Sequence, residues 1–244
     1  MNNTINLLKS HRSIRKFKDQ PIDESLLHAC IEAGQAAATS SFLQGTTVIR
    51  IRKPETRKAI ATLAGGQTYV ETAAEFLMFC ADLRRSGKCC ELHGATQVEG
   101  FTEHFIIATV DVALMAQNVV VAAESAGLGI CYIGGIRNDP AQVTELLSLP
   151  KGVYPVFGLC LGYPDQDPEF KPRLPLKAVL LEEQYQDIDE QTLAEYDEQT
   201  RQYYKTRTGG TKDIRWSQQM TGLLGSESRP HMKEFLVKQG FELK

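Results

Sequence analysis

Residues 105–123 form the run FIIATVDVALMAQNVVVAA, an apolar stretch that approaches the length of a membrane-spanning helix. Asp111, Gln117 and Asn118 interrupt it, and an ionisable group at mid-membrane depth is expensive. A helix apolar on nearly every side is more often the spine of a large soluble fold, or lies within a dimer. No membrane segment is therefore expected, and the remaining elements must wrap this helix.

The chain is long enough to do so. Its 244 residues, 42% hydrophobic and 23% charged, suit a soluble globular protein whose core needs no staples. A net charge of −3 argues against a general nucleic-acid binder, which is expected to be distinctly basic. Of the cysteines, Cys30, Cys80, Cys131 and Cys160 sit in apolar runs, while Cys89 and Cys90 are adjacent. The opening MNNTINLLKSHR lacks the apolar region and small-residue cleavage site of a signal peptide. Reduced thiols and a cytoplasmic protein are the expectation.

The pattern predicts a short helix near 4–10 and a second over 23–38, with Asp23 as a possible cap. TTVIRIRK (46–53) reads as a strand, Pro54 opens a helix that Gly65-Gly66 ends, and EFLMFCAD (75–82) reads as a central strand. The long helix spans roughly 99–126. It is followed by a strand at 129–135, a helix started by Asp139-Pro140, and a last central strand at 153–164. Beyond Asp165 acids dominate as far as 198, then Arg201, Lys205, Arg207, Lys212 and Arg215 face only Asp213. Helices without regular βαβ alternation indicate an α+β sandwich. With no repeat or low-complexity linker, a single domain over 1–244 is expected, its arm beyond about 165 an extension that wraps a neighbour such as a second subunit.

Chemistry-bearing residues fall in several stretches. HRSIRKF (11–17) crowds His11, Arg12, Ser13, Arg15 and Lys16 together. In a helical or turn conformation Arg12 and Arg15 share a side, and two guanidiniums with a hydroxyl suit a phosphate. A solvated basic face explains the same residues. Lys171 and Arg173 in KPRLP share a side if extended; a surface loop is the alternative. ESAGLGICYIGGIRN (124–138) brackets a strand with glycines that permit close backbone approach to a flat ligand, or simply cap a helix and make a turn. It is not a dinucleotide fingerprint, since G-x-G here precedes the strand. TSSFLQ (39–44) and GGQ (65–67) read singly as ordinary loops. CCELH (89–93) makes a weak zinc case, and no metal site is expected. No acid–base or nucleophile constellation is present, which points to a cofactor carrying the chemistry.

HRSIRKF, SSFLQ, AGGQ, FCAD, AAESAGLGICYIGGIRN, FGLCLGYP and KPRLP occur in an order that resembles the nitroreductase superfamily, specifically its oxygen-insensitive NADPH nitroreductases and NADPH-flavin oxidoreductases. The resemblance runs nearly the full length. It implies a nitroreductase-like sandwich with a mostly antiparallel sheet, a long buried helix and a carboxy-terminal arm (165–244) wrapping a homodimer. It also implies FMN at the interface and ping-pong hydride transfer from NADPH to a small-molecule electron acceptor such as a nitroaromatic or quinone. By the same resemblance His11, Arg12, Ser13 and Arg15 would contact the FMN phosphate and ribityl region, and Gln67 the ring or ribityl chain. Tyr132, Ile133, Gly134 and Gly135 would cover one flavin face, and Lys171 and Arg173 would reach the ring edge and phosphate, with Lys171 stabilising negative charge. Ser40, Ser41 and Gln44 would come from the partner subunit, Arg207 would meet the NADPH 2′-phosphate, and Glu103 would lie near the active site. Lys16 has no implied role. Thr39 replaces a family serine, and the stretch 83–98 reads as a lengthened loop. A flavin reductase that releases reduced FMN, and a non-catalytic flavin-binding module, remain as alternatives.

Overall fold

The computed structural model describes residues 2–244. The chain begins with helices α1 (Asn3–Lys9) and α2 (Glu24–Gln35), strand β1 (Thr46–Arg50), helices α3 (Pro54–Leu63) and α4 (Tyr69–Thr72), and strand β2 (Glu75–Asp82). Helices α5 (Arg84–Leu92) and α6 (Thr102–Ser125), strand β3 (Gly129–Ile133), helix α7 (Pro140–Leu146) and strand β4 (Val153–Gly162) follow. Helices α8 (Glu190–Arg207), α9 (Trp216–Leu224) and α10 (Met232–Lys238) complete the order.

The strands form one antiparallel sheet in the order β1-β2-β4-β3, so the runs at 75–82 and 153–164 are its inner pair. Alternation along β2 sorts its side chains into two layers. Leu77, Phe79 and Ala81 join Leu27 and Cys30 of α2 and Val112 and Val119 of α6. Phe76, Met78 and Cys80 join Ile60 and Ala61 of α3 and Val143 of α7. A strand covered on both faces carries no polar alternation, which is why β2 reads as a continuous apolar run. Pro155 has no N–H to give an inner strand, and the β2–β4 register shifts beside it, with Phe79 opposite Phe157 and Cys80 opposite Pro155. The carbonyl of Val156, between them, accepts from Arg137 at 2.7 Å.

Helix α6 packs on α2 so closely that a Cβ on Gly34 would stand 2.5 Å from Val119. Ala108, Asp111, Val112, Ala116, Val119, Val120 and Ala123 are buried. Ile106, Val110 and Leu114, four residues apart along another stripe, are exposed. Within the single chain the expected long buried helix is therefore buried on one face only. This helix is long and apolar enough to cross a membrane by length and composition, yet its covered face is taken up by α2 and the sheet. The stretch expected as a loop over 83–98 contains helix α5 (Arg84–Leu92), whose single buried residue is Gly87.

The chain divides into two compact units, one reaching to Asp167 and resuming at His231–Lys244, the other spanning Pro168–Pro230. Phe235, Leu236 and Phe241 lie in the core of the first unit, so the separate stretch beyond 165 ends near 230. Within the second unit, Asp189 caps α8 by accepting from the Thr192 N–H at 2.7 Å. Asp197 accepts from the backbone N–H and hydroxyl of Ser217 at 2.8 and 2.5 Å, joining α8 to α9, and Tyr196 meets Trp216 edge-on.

Candidate functional site

The HRSIR segment is extended, not helical or turned. Ser13 bridges Ile130 in parallel, the Ile14 N–H donates to the Ile130 carbonyl at 2.8 Å, and Phe17 bridges Pro164. This pairing sends the two guanidiniums to different neighbours, against the expectation that they share one side. Arg12 pairs with the exposed carboxylate of Asp167, while Arg15 lies against the hydroxyl of Tyr69. An exposed ion pair of this kind contributes only about 0–1 kcal/mol. His11 Nδ1 lies 2.6 Å from Glu124 Oε1 at the end of α6. A carboxylate only accepts, so Nδ1 carries the proton and the ring orientation is set. Ile14 is buried and so close to β3 that a Cβ on Gly129 would stand 2.6 Å from it. Lys16 is exposed.

Strand β3 carries this segment into the glycine turn. Tyr132 packs edge-on against Phe157 at 5.0 Å, and burial, with the charge of Glu124, pushes its phenol up to about 12. Ile133 is fully buried, and residues 134–138 form a tight helical turn. Buried Ile136, the Arg137 bond to Val156 and a His231 contact at 3.0 Å to the Arg137 carbonyl hold it in place. A Cβ on Gly135 would stand 2.4 Å from the Ala64 carbonyl oxygen and 3.0 Å from Gln67 Nε2. The α3 end is thus seated on this turn, and only glycine fits. Gly65 and Gly66 both adopt left-handed backbone, φ 89° and 76°, which turns the Gly66 and Gln67 N–H groups back to the Ala61 carbonyl. Arg57 fixes the following segment: its guanidinium donates to the carbonyls of Ile51, Ala73 and Ala74 at 2.9, 2.6 and 3.2 Å. His11, Ser13, Arg15, Gln67, Tyr132, Gly134 and Gly135 therefore belong to one continuous strip.

Ser40, Ser41 and Gln44 are anchored elsewhere. Asp111, 1% exposed, accepts from the Ser40 and Gly45 N–H groups at 3.1 and 3.3 Å. Arg85 donates to the Gln44 carbonyl at 3.0 Å. Between these anchors Ser41, Phe42 and Gln44 have φ of 50°, 57° and 54°, and Phe42 is 81% exposed. Glu103 lines an open apolar cleft of about 710 Å³ with Leu43, Cys90, Val98 and Phe101.

In the second unit the Lys171 ammonium sits 5.5 Å over the ring of Tyr204, and Arg173 donates to the Lys171 carbonyl at 2.8 Å. Arg207 donates to the Tyr203 hydroxyl at 2.9 Å. Asp213 pairs with both Arg201 and Lys205, which reduces the charge excess expected over 201–215.

Sequence reading missed Glu124, Asp111, Tyr69 and Arg57. Asp111 offered one signal, an acid inside an apolar run. The others act on residues whose neighbourhood only the fold defines.

This sandwich pairs a cationic segment with the strand that leads into a glycine turn, and it has known relatives. The profile of the Nitroreductase family matches residues 8–163, and that of the Nitroreductase family, C-terminal domain, matches 171–244; the chain belongs to the nitroreductase family. It is 48% identical over 240 residues to the NADPH-flavin oxidoreductase of Vibrio harveyi, covering 98% of each chain. It is also 48% identical over 241 residues to the oxygen-insensitive NADPH nitroreductase of Salmonella typhimurium, covering 99% of each. The solved structure of B. megaterium NfrA1 superposes with a TM-score of 0.95 at 44% identity, covering 98% of this chain and 99% of that one.

Proposed function

We propose that this protein is an FMN-dependent NADPH oxidoreductase that passes electrons to small acceptors, nitroaromatics and quinones among them. The observation that carries this is the backbone bond from Ile14 to Ile130. It joins a cationic strand, suited to a phosphate, and a glycine turn, suited to a planar ring, into one rigid piece. The names of the NADPH-dependent relatives point the same way.

FMN, held by the residues that follow, would supply the hydride chemistry between NADPH and the acceptor. The chain's own residues bind and orient. His11, held by Glu124, together with Arg12, Ser13 and Arg15, holds the phosphate and ribityl end. Gln67 and the segment Tyr132, Ile133, Gly134 and Gly135 line the ring. Lys171 and Arg173 would add positive charge that favours an electron-rich ring, Arg207 would receive the NADPH 2′-phosphate, and Glu103 borders acceptor access in the apolar cleft. No protein nucleophile or metal is required.

The working species is a homodimer. The exposed stripe of Ile106, Val110 and Leu114 is an apolar face of the kind a second copy covers, and the loop of Ser40, Ser41 and Gln44 serves the partner's site. The segment from about 165 to 230 wraps that partner, so both units act as one functional domain. Buried free thiols at Cys30, Cys80, Cys131 and Cys160 fit the reducing cytoplasm.

Purified protein is expected to be yellow and to bleach on anaerobic addition of NADPH. Protein that stays yellow overturns the enzyme reading and leaves a flavin-binding module; colourless protein that FMN does not reconstitute overturns both. Steady-state rates with a nitroaromatic, a quinone and free FMN separate a nitroreductase from a flavin reductase.

A further inference from the structure

Tyr69 opens α4 and is half-buried. Its hydroxyl lies 2.9 Å from Gln67 Oε1, as the donor. Arg15 and the Cys131 thiol are near enough to act on the same phenol, the thiol itself donating to the Tyr132 carbonyl at 3.6 Å. A guanidinium can only donate, and a phenol has one hydrogen. Arg15 therefore takes a lone pair of the oxygen, and the proton goes to an acceptor. An amide oxygen is a much better acceptor than a thiol sulfur, so it goes to Gln67.

The other end of the amide is equally constrained. Gln67 Nε2 lies 3.0 Å from the point where a Cβ on Gly135 would stand, so it sits against the glycine turn. Flipping the amide would leave the phenol accepting from both Arg15 and Gln67, with only the thiol left for its own proton. The flipped form is disfavoured on both counts.

We propose that Tyr69 is a positioning residue, which locks the Gln67 amide with its N–H groups toward the Gly134–Gly135 turn. The site then presents a fixed hydrogen-bond donor there and selects a ligand atom that accepts, a carbonyl oxygen or an unprotonated ring nitrogen. The inference rests on the flavin-site reading above, and it adds a residue and a donor polarity to that reading.

The test is a double-mutant cycle read by FMN titration of apoprotein. Tyr69→Phe keeps the buried ring and removes only the hydroxyl, and thermal melting reports whether it folds. Loss of one oriented hydrogen bond predicts an FMN Kd raised about tenfold. Gln67→Ala is expected to match it, and the double variant to be no worse than either single one. The midpoint potential of bound FMN should move by the same amount in Tyr69→Phe as in Gln67→Ala, a readout that loss of stability alone does not move. Additive losses, or a potential that moves in one single variant only, overturn the proposal. So does Gln67→Ala weakening FMN while Tyr69→Phe does not; the flavin site would then stand without Tyr69. If Gln67→Ala leaves FMN binding unchanged, both the inference and the role of Gln67 in the site fall. Gln67→Glu supplies a check that leaves Tyr69 untouched. It still accepts from the phenol but offers no donor, so it should bind FMN as poorly as Gln67→Ala, and wild-type affinity in that variant refutes the donor polarity.

Discussion

Asp111→Asn is the sharpest probe of how this chain builds its serine loop. The carboxylate is buried and accepts two backbone N–H groups, from Ser40 through Oδ1 and from Gly45 through Oδ2. Asparagine keeps one acceptor and turns an N–H2 group toward the other N–H, so one bond is lost and two donors face each other. A hydrogen bond to a charged group contributes about 1.5–3 kcal/mol. The loop between the anchors holds three non-glycine residues at left-handed φ, each costing about 1 kcal/mol or more; relaxation of that strain recovers part of the loss. A net destabilisation of about 1–3 kcal/mol follows, which for a chain of this size lowers Tm by about 2–12 °C. Circular dichroism melting gives the Tm. Limited proteolysis at exposed Phe42 with an aromatic-directed protease gives the local effect, expected as faster cleavage. A variant with wild-type Tm and wild-type cleavage at Phe42 would show that Asp111 does not shape the loop.

Gly135→Ala drives a methyl into the Ala64 carbonyl and Gln67 Nε2; overpacking of this kind costs about 1–3 kcal/mol, and FMN affinity should fall with stability, whereas an unchanged FMN titration would show that the turn and Gln67 are not in contact. Stability should decline steadily between pH 9 and 12, because burial pushes Cys80, Tyr132 and Tyr154 up to about 12 from ordinary values of 9, 10 and 10. The native state holds those protons more tightly than the unfolded chain, so the stabilisation is whole below the unfolded values and is lost as pH climbs toward the folded ones; a Tm flat across that range refutes the burial. Arg207→Ala should raise the KM for NADPH and weaken the preference over NADH, and no change in either removes Arg207 from the nucleotide site.

Much of this was legible because local chemistry and fold agree. Strand β2 is apolar throughout because both faces are covered, and Pro54 and Asp139-Pro140 open helices where helix starts favour them. Helix α5 was not legible, since its single buried residue is Gly87, and glycine is a poor helix former. HRSIRKF misled for another reason. The three-residue spacing of its arginines suggests a turn, but its conformation is decided by pairing with Ile130, more than a hundred residues away. Local spacing carries no record of such a partner. The supports of the site were hidden in the same way: His11 and Glu124 are 113 residues apart, and Ser40 and Asp111 are 71 apart. Only Asp111, an acid in an apolar helix, marked itself, and it read as an argument about membranes instead of an anchor.

That same helix bears on whether one chain can complete the site. Asp111 anchors the serine loop and Glu124 anchors His11, and the rise along α6 between them is about 20 Å. The anchors of the two sets of candidate ligands are therefore well apart along α6, and the proposed homodimer predicts a loop that serves the second copy. Mixed dimers decide the matter. One chain carries Arg12→Ala and Arg15→Ala, the other Ser40→Ala and Gln44→Ala, and each homodimer should lose FMN. If each site takes its strand from one copy and its loop from the other, a mixed dimer has one site with both defects and one with neither. Random reassortment makes about half the dimers mixed and so restores about a quarter of all sites. If each chain completes its own site, every site in a mixed dimer carries one defect and mixing restores nothing. Flavin binding that stays at the level of the parent homodimers after verified exchange would place the loop and the strand in the same subunit's site.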